Sequence, residues 1–388
     1  MFTPTRAAGL DRLSAFLPRA GRDYAALRNL DLPGHPHVSV LSPWLRHRLI
    51  TEAEVIDAAV QAHPRGAGKF LDEVWWRTYW KGWLELRPGI WTAYRQGLTA
   101  ALHRLAAEPG LDQQAEAAMR GNTGFDGFDH WAQELVTTGY LHNHARMWFA
   151  SIWIFTLRLP WELGADFFLR HLVDGDPASN TLSWRWVGGL HTPGKTYLAT
   201  KDNIARNTDG RFRPESLSAT APPLPMSPLP DPGPTPQGDR IDPTLPSLLL
   251  VTEEDLTPHF LLTPGLRLRT VAVLTDVAGR SPRVVAHPVL RFTAAAIADC
   301  LAGLNASEAP VFGPADLSGL LDFADREGVR QIVTPYAPTG PVAEALVRLG
   351  RLAAPRGIVL ARALRDHDRL AWPHATQGFF RFRAAVTA

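Results

Sequence analysis

Over roughly the first 213 residues the hydrophobic positions recur at helical spacing, and few runs show the alternation expected of strands. Thr51-Glu52-Ala53-Glu54 reads as a capping box and predicts a helix that opens there and runs to about His63. Within 69–86, Phe70, Trp76, Trp80 and Trp83 fall at helical spacing. Further helices are predicted over 126–137, 140–158 and 164–173, with Gly139 and Gly175 placed where helices end. The pattern then changes twice. Residues 214–246 hold 11 prolines in 33 positions, which excludes regular helix or sheet and predicts an extended, semi-rigid connector. Beyond it, apolar runs at 248–252, 271–275, 331–334 and 358–361 alternate with helical patterns at 292–304, 315–327 and 341–353, the texture of a parallel α/β sheet. The expected fold is multi-domain: an all-α region over 1–213, a Pro-rich linker over 214–246 and a smaller, Rossmann-like α/β domain over 247–388.

Composition narrows the classes. The chain of 388 residues is 45% hydrophobic and 20% charged, enough for two folded domains and unlike a disordered chain. No apolar run reaches the ~18–20 residues of a membrane span, and the first residues lack a secretory pattern, so a cytoplasmic protein without membrane contact is expected. The single cysteine, Cys300, excludes an intrachain disulfide and a thiolate zinc or iron–sulfur site held by this chain alone. The 40 basic and 38 acidic residues balance, but Lys69, Lys81, Lys195 and Lys201 are the only lysines. The arginines reflect either genomic composition or phosphate recognition by their planar fork. Of 13 tryptophans, 12 lie between Trp44 and Trp186. Indoles serve as stacking surfaces, redox relays and packing units, so that stretch is where function is sought. No GxGxxG or GxxxxGK[ST] loop follows the C-terminal strands, so neither nucleotide site is supported there.

Three clusters carry chemistry. On a helix, Glu73, Trp76 and Arg77 share one face, three and four residues apart; taken alone they also fit a surface ion pair beside a core indole. Asn122-Thr123-Gly124-Phe125-Asp126 precedes a segment in which His142, Asn143, Arg146 and Met147 are expected on one side of a helix start. Polar groups on so apolar a helix need a ligand or a salt-bridge network. His142 and His144 do not converge on one ion at this spacing, so no metal is expected. The third cluster contains Asp174-Gly175-Asp176 and Asn180, followed by Trp184-Arg185-Trp186; it lacks the closing Glu of a calcium loop.

Read together, F-L-D-E-V-W-W-R, N-T-G-F-D, Y-L-H-N-H-A-R-M and L-V-D-G-D-P-A-S-N-T-L-S-W-R-W resemble, in order over about 20–190, the flavin-binding helical domain of the DNA photolyase and cryptochrome family. The resemblance implies a bent FAD whose phosphates are held by Tyr24 and Ser39-Val40-Leu41-Ser42, with Val38 and Val40 standing where the family has Thr and Arg. It places Arg77 near the flavin, pairs Arg146 with Asp174, sets Asp174 and Asp176 along the isoalloxazine ring and aims Asn180 at its N5. On the substrate side it implies that Glu73 hydrogen-bonds a flipped pyrimidine dimer packed against Trp76 and Trp186, with Met147 at the same wall. Asn143 belongs to the same helix start and borders both cofactor and substrate. Asn143 and Met147, where enzymes for (6-4) lesions usually carry histidines, favour the cyclobutane type.

Trp184 and Trp161 match the first two members of the family's tryptophan relay. The third position falls near Glu108 with no aromatic residue, leaving Trp148, Trp153 or Tyr197 as other donors. The usual tail is replaced by 194–213, where Lys195, Lys201, Arg206, Arg211 and Arg213 face DNA phosphates in this reading. Residues 248–256 and 328–372 resemble parts of the family's α/β antenna-type domain, which implies a permuted domain order; an unrelated α/β domain is the alternative. No residue identifies an antenna chromophore, and the sequence sets no oligomeric state. The implied function is a light-driven photolyase acting on UV-damaged DNA, in which photoexcited reduced FAD passes an electron to a cyclobutane dimer. The alternatives are a cryptochrome-like photoreceptor with a signalling partner, and a binding protein that keeps the helical fold without chemistry.

Overall fold

The computed structural model describes residues 2–225 and 227–387. Its helical region comprises α1 (Arg6–Phe16), α2 (Arg22–Leu27), α3 (Ser42–Arg46), α4 (Glu52–Ala62), α5 (Gly68–Glu85), α6 (Gly89–Ala107), α7 (Pro109–Arg120), α8 (Phe128–Thr138), α9 (Asn143–Ser151), α10 (Trp161–His171), α11 (Pro177–Val187) and α12 (Lys201–Asn207). The capping box forms as expected: Glu54 N donates to the Thr51 hydroxyl and Thr51 N to the Glu54 carboxylate. Gly139 ends α8 with φ 72°. Gly175 lies beyond the end of α10, where a Cβ would meet the carbonyls of Leu169 and Leu172. The helix expected over 140–158 instead opens at Asn143 and passes into a π turn, Ile152–Thr156; such turns are frequent near functional sites. α1, α2, α3, α6, α7, α11 and α12 were not predicted from the sequence.

Residues 214–246 form neither helix nor strand among those described, and they are pinned rather than loose: Leu224 N donates to Gly188 O and Gly233 N to Leu86 O. The α/β region follows with β1 (Ser247–Thr252), β2 (Leu268–Leu274), α13 (His287–Gly303), β3 (Val311–Phe312), α14 (Leu317–Arg326), β4 (Gln331–Pro335), α15 (Pro341–Ala353), β5 (Val359–Ala363), α16 (Asp366–Ala371) and α17 (Phe379–Val386). The five strands are parallel in the order β3-β2-β1-β4-β5. Central β1 is buried on both faces. Leu249 and Val251 share a core with α1, α4 and α13, while Leu248 and Leu250 face α14 and α15. That double burial explains the unbroken apolar run in the sequence.

Open sheets of this kind hold ligands beyond the carboxyl ends of their strands, where the strand order reverses. Here that edge is applied to the helical region. Glu254 and Asp255 after β1 receive Arg46 and Arg48, Tyr336 and Thr339 after β4 donate to Glu85, and Asp368 after β5 receives Arg48. The chain then turns back along α5. Gly82 is required there, because a Cβ would strike the Trp372 indole. Phe379 and Phe382 thereby join the core of the helical region.

Candidate functional site

Helix α5 organises the site. Spacing by four places Glu73, Arg77 and Lys81 in one stripe. The Lys81 ammonium lies 2.9 Å from Asp176 Oδ2, with Arg77 at 3.7 Å and Arg46 at 3.8 Å from the same oxygen. The other Asp176 oxygen accepts from Ser179 N at 2.8 Å and so caps α11. Burial alone would raise the Asp176 carboxyl, but the charges of Lys81, Arg77 and Arg46 hold it well below its ordinary value. Arg46 also grips Glu254 through two bonds of 2.7 Å and donates to Gly175 O at 2.7 Å. Its guanidinium is 1% exposed, so this network is essentially dry.

The expected Arg146–Asp174 pair forms at 2.8 Å, with Arg146 also donating to Leu141 O. His142 is the N-cap of α9, accepting from His144 N at 3.1 Å. Burial, then nearby His and Arg charges, push it down to about 3, so it serves as a neutral acceptor. Asn143 is exposed on the first turn and does not share the buried side with Arg146; Met147 is half-buried. Asn180 is buried and donates to Ala165 O at 2.8 Å, which leaves its carbonyl oxygen to present to a ligand.

Glu73 forms an ion pair with Arg28, both half-buried, and the hydroxyl of Tyr24 also reaches Arg28. The Tyr24 ring packs between Phe16 and Phe70. Burial raises the Glu73 carboxyl against the pull of Arg28. In the loop before α3, Arg12 Nε donates to Ser39 O at 2.7 Å, Leu41 is buried, and Ser42 opens α3. Val40 sits at φ 55°, a left-handed conformation that a β-branched side chain adopts only under strain.

The indoles do not all fall where the sequence placed them. Trp76 stacks on Phe379 of α17 at 3.8 Å and 8°, whereas Trp186 stacks on Tyr197 at 5.7 Å. The two expected plates of one wall therefore have separate partners. Trp184 has Phe168, Trp153 and Phe149 as ring neighbours, while Trp161 has Tyr94. Trp153, not Trp161, touches the Trp184 ring. The sequence reading missed Lys81, Arg46, Glu254, Arg28 and Phe379. The i+4 step from Arg77 signalled the first, the acidic run 253–255 signalled Glu254, and the aromatic-basic run 379–383 signalled the last.

Polar atoms around this interior fit a flavin. Asp174 Oδ1 and Arg77 Nη2 are buried without hydrogen-bond partners. The carbonyl oxygen of Asn180 makes no hydrogen bond among the described residues either, and acceptors and a donor of this kind suit a ring edge that alternates N–H and C=O. Residues 70–211, which include all three, match the family described as the FAD binding domain of DNA photolyase. Over this stretch the chain is similar to the photolyase/cryptochrome family. FAD is the cofactor of the matched domain.

The chain is similar to the deoxyribodipyrimidine photo-lyase of Streptomyces griseus, 34% identical over 163 residues, covering 42% of this chain and 34% of that protein. It is similar also to the deoxyribodipyrimidine photo-lyase of Agrobacterium fabrum, 31% identical over 194 residues, covering 49% and 39%. Among solved structures it is similar to a bacterial class III photolyase from Agrobacterium tumefaciens, at 26% identity and a TM-score of 0.41, covering 53% and 43%. The matches span less than half the length of these relatives. Among the described residues no helix is long and apolar enough to cross a membrane, and no cluster of His, Cys, Asp and Glu is arranged to hold a metal ion.

Proposed function

We propose that this protein is a DNA photolyase that splits cyclobutane pyrimidine dimers in UV-damaged DNA. The observation that carries the reading is Glu73. Its half-buried carboxylate, paired with Arg28, lies one helical turn from Trp76 on the same helix whose Arg77 and Lys81 reach Asp176. One element thus joins a base-recognition edge to the flavin edge. FAD, when bound, supplies light absorption and one-electron chemistry. Asp174, Asp176, Arg77 and Asn180 would hold its ring, and Tyr24, Ser39, Leu41 and Ser42 its phosphates. Arg28 pulls against the burial that raises the Glu73 carboxyl and holds that carboxyl in place to hydrogen-bond a flipped base. Flipping costs a few kcal/mol, and stacking returns about 1–3 kcal/mol per base, which is the work of Trp76, Trp186 and Met147. Lys195, Arg206 and Arg213 are exposed and have no carboxylate partner among the described residues, which suits phosphate contact. The α/β region is read as a permuted antenna-type domain, supported by its all-parallel sheet and the docking of its carboxyl edge on the helical region.

A second reading, a photoreceptor without repair, is favoured by one observation: Phe379 covers the Trp76 face. The deciding experiment is illumination with blue light and reductant of a dimer-containing oligonucleotide, with absorption spectra before and after. Repair by the protein, lowered at least tenfold in Glu73→Ala with flavin still bound, is expected. Flavin photoreduction without restored bases would instead establish the photoreceptor.

A further inference from the structure

The contact between Phe379 and Trp76 has the geometry of a stacked base. Ring centroids lie 3.8 Å apart with planes 8° from parallel, and Phe379 is buried. We infer that α17 is a built-in occupant of the base-stacking face of α5, and that an unstacked pyrimidine of damaged DNA competes with Phe379 for Trp76. The inference rests on the reading of Trp76 as a substrate wall and goes beyond it, because it makes pocket opening a step of DNA binding.

The way the C-terminal segment is held supports exchange at α17 and not before it. Up to residue 377 the segment is anchored firmly. Asp368 pairs with Arg48, His367 stacks on Trp75 and bonds Thr78, Trp372 fills the space left by Gly82, and Tyr79 donates its hydroxyl to Gln377 O. Past Gly378 the bonds change character. α17 has no side-chain N-cap and no acidic residue in its first turn, and it spans eight residues, too short to hold its shape without packing. Its polar tie to α5 is the partly exposed Arg383–Asp72 pair at 3.1 Å. The rest is aromatic: Phe379 on Trp76, and Phe382 against Trp75 and Tyr79. Aromatic faces accept another π-system in place of a ring with little preference.

The test uses the full chain with its flavin and a duplex carrying one thymine dimer, against the same duplex undamaged. Phe379→Ala is expected to tighten binding of the damaged duplex about tenfold, the size of one lost stacking competitor. The gain should vanish when Trp76→Ala is added. Arg383→Gln removes a positive charge, which alone weakens DNA binding, so tightening there reports release of α17; it also serves if Phe379→Ala does not fold. If wild type binds and neither variant binds more tightly, the occupant proposal is overturned and the repair reading stands. If no variant distinguishes damaged from undamaged duplex, both fall.

Discussion

Helix α5 is held in opposite ways on its two sides. Inward, Lys81 and Arg77 meet Asp176 in a network that continues through Arg46 to Glu254, with Lys81, Asp176 and Arg46 no more than 3% exposed. Outward, Trp76 meets a phenyl ring, and the ion pair to α17, Arg383–Asp72, is 19% and 26% exposed. The inward side cannot open without stranding charges in a dry interior. The outward side can trade one aromatic partner for another. In the proposed reading, a helix so divided would keep the cofactor side fixed while the substrate side changes partner.

The largest effect that would break this contrast is on the inward side. Glu254→Ala leaves the Arg46 guanidinium short of its bidentate partner and should cost about 3–5 kcal/mol of stability, read by urea denaturation. A loss under about 1 kcal/mol would put the network on a par with a surface pair.

Next comes acidity. Glu253 is pushed up to about 7 by burial and by the neighbouring Glu254 charge. The folded protein then keeps a proton that the unfolded chain gives up above about 4.5, so this contribution is complete at low pH and is lost as pH rises through 7. Glu253→Gln should therefore gain about 2 kcal/mol at pH 8 and nothing at pH 4. Glu52 runs the other way. Burial opposes its ionisation, but Arg48 and Arg77 hold it down at about 2, so its contribution is present above its ordinary value and lost as pH falls toward 2. The smallest effect lies outward: Arg383→Ala should change stability by less than about 1 kcal/mol. Thermal unfolding measured beside Glu254→Ala would show whether the two sides differ as described.

What the sequence revealed follows from the range of each interaction. β1 was legible because burial on both faces keeps Leu248–Val251 apolar, and α4 because its capping box spans four residues. α11 was hidden because Pro177 opens it and its N-cap, Asp176, read as part of a loop. In the site, Glu73, Trp76 and Arg77 were legible from helical spacing, and the Arg146–Asp174 pair from the family resemblance. Arg46 and Glu254 are 208 positions apart, and no local pattern announces their pairing. The cover on Trp76 was missed for the same reason: Phe379 lies near the other end of the chain, in a segment that sequence texture assigned to the α/β domain.

The claim that the two sides of α5 behave differently is tested most directly by hydrogen–deuterium exchange, with the dimer-containing duplex absent and then bound. Amides of 379–386 are expected to lose protection on binding while those of 77–85 keep theirs. Unchanged protection of 379–386 with the duplex bound would contradict it.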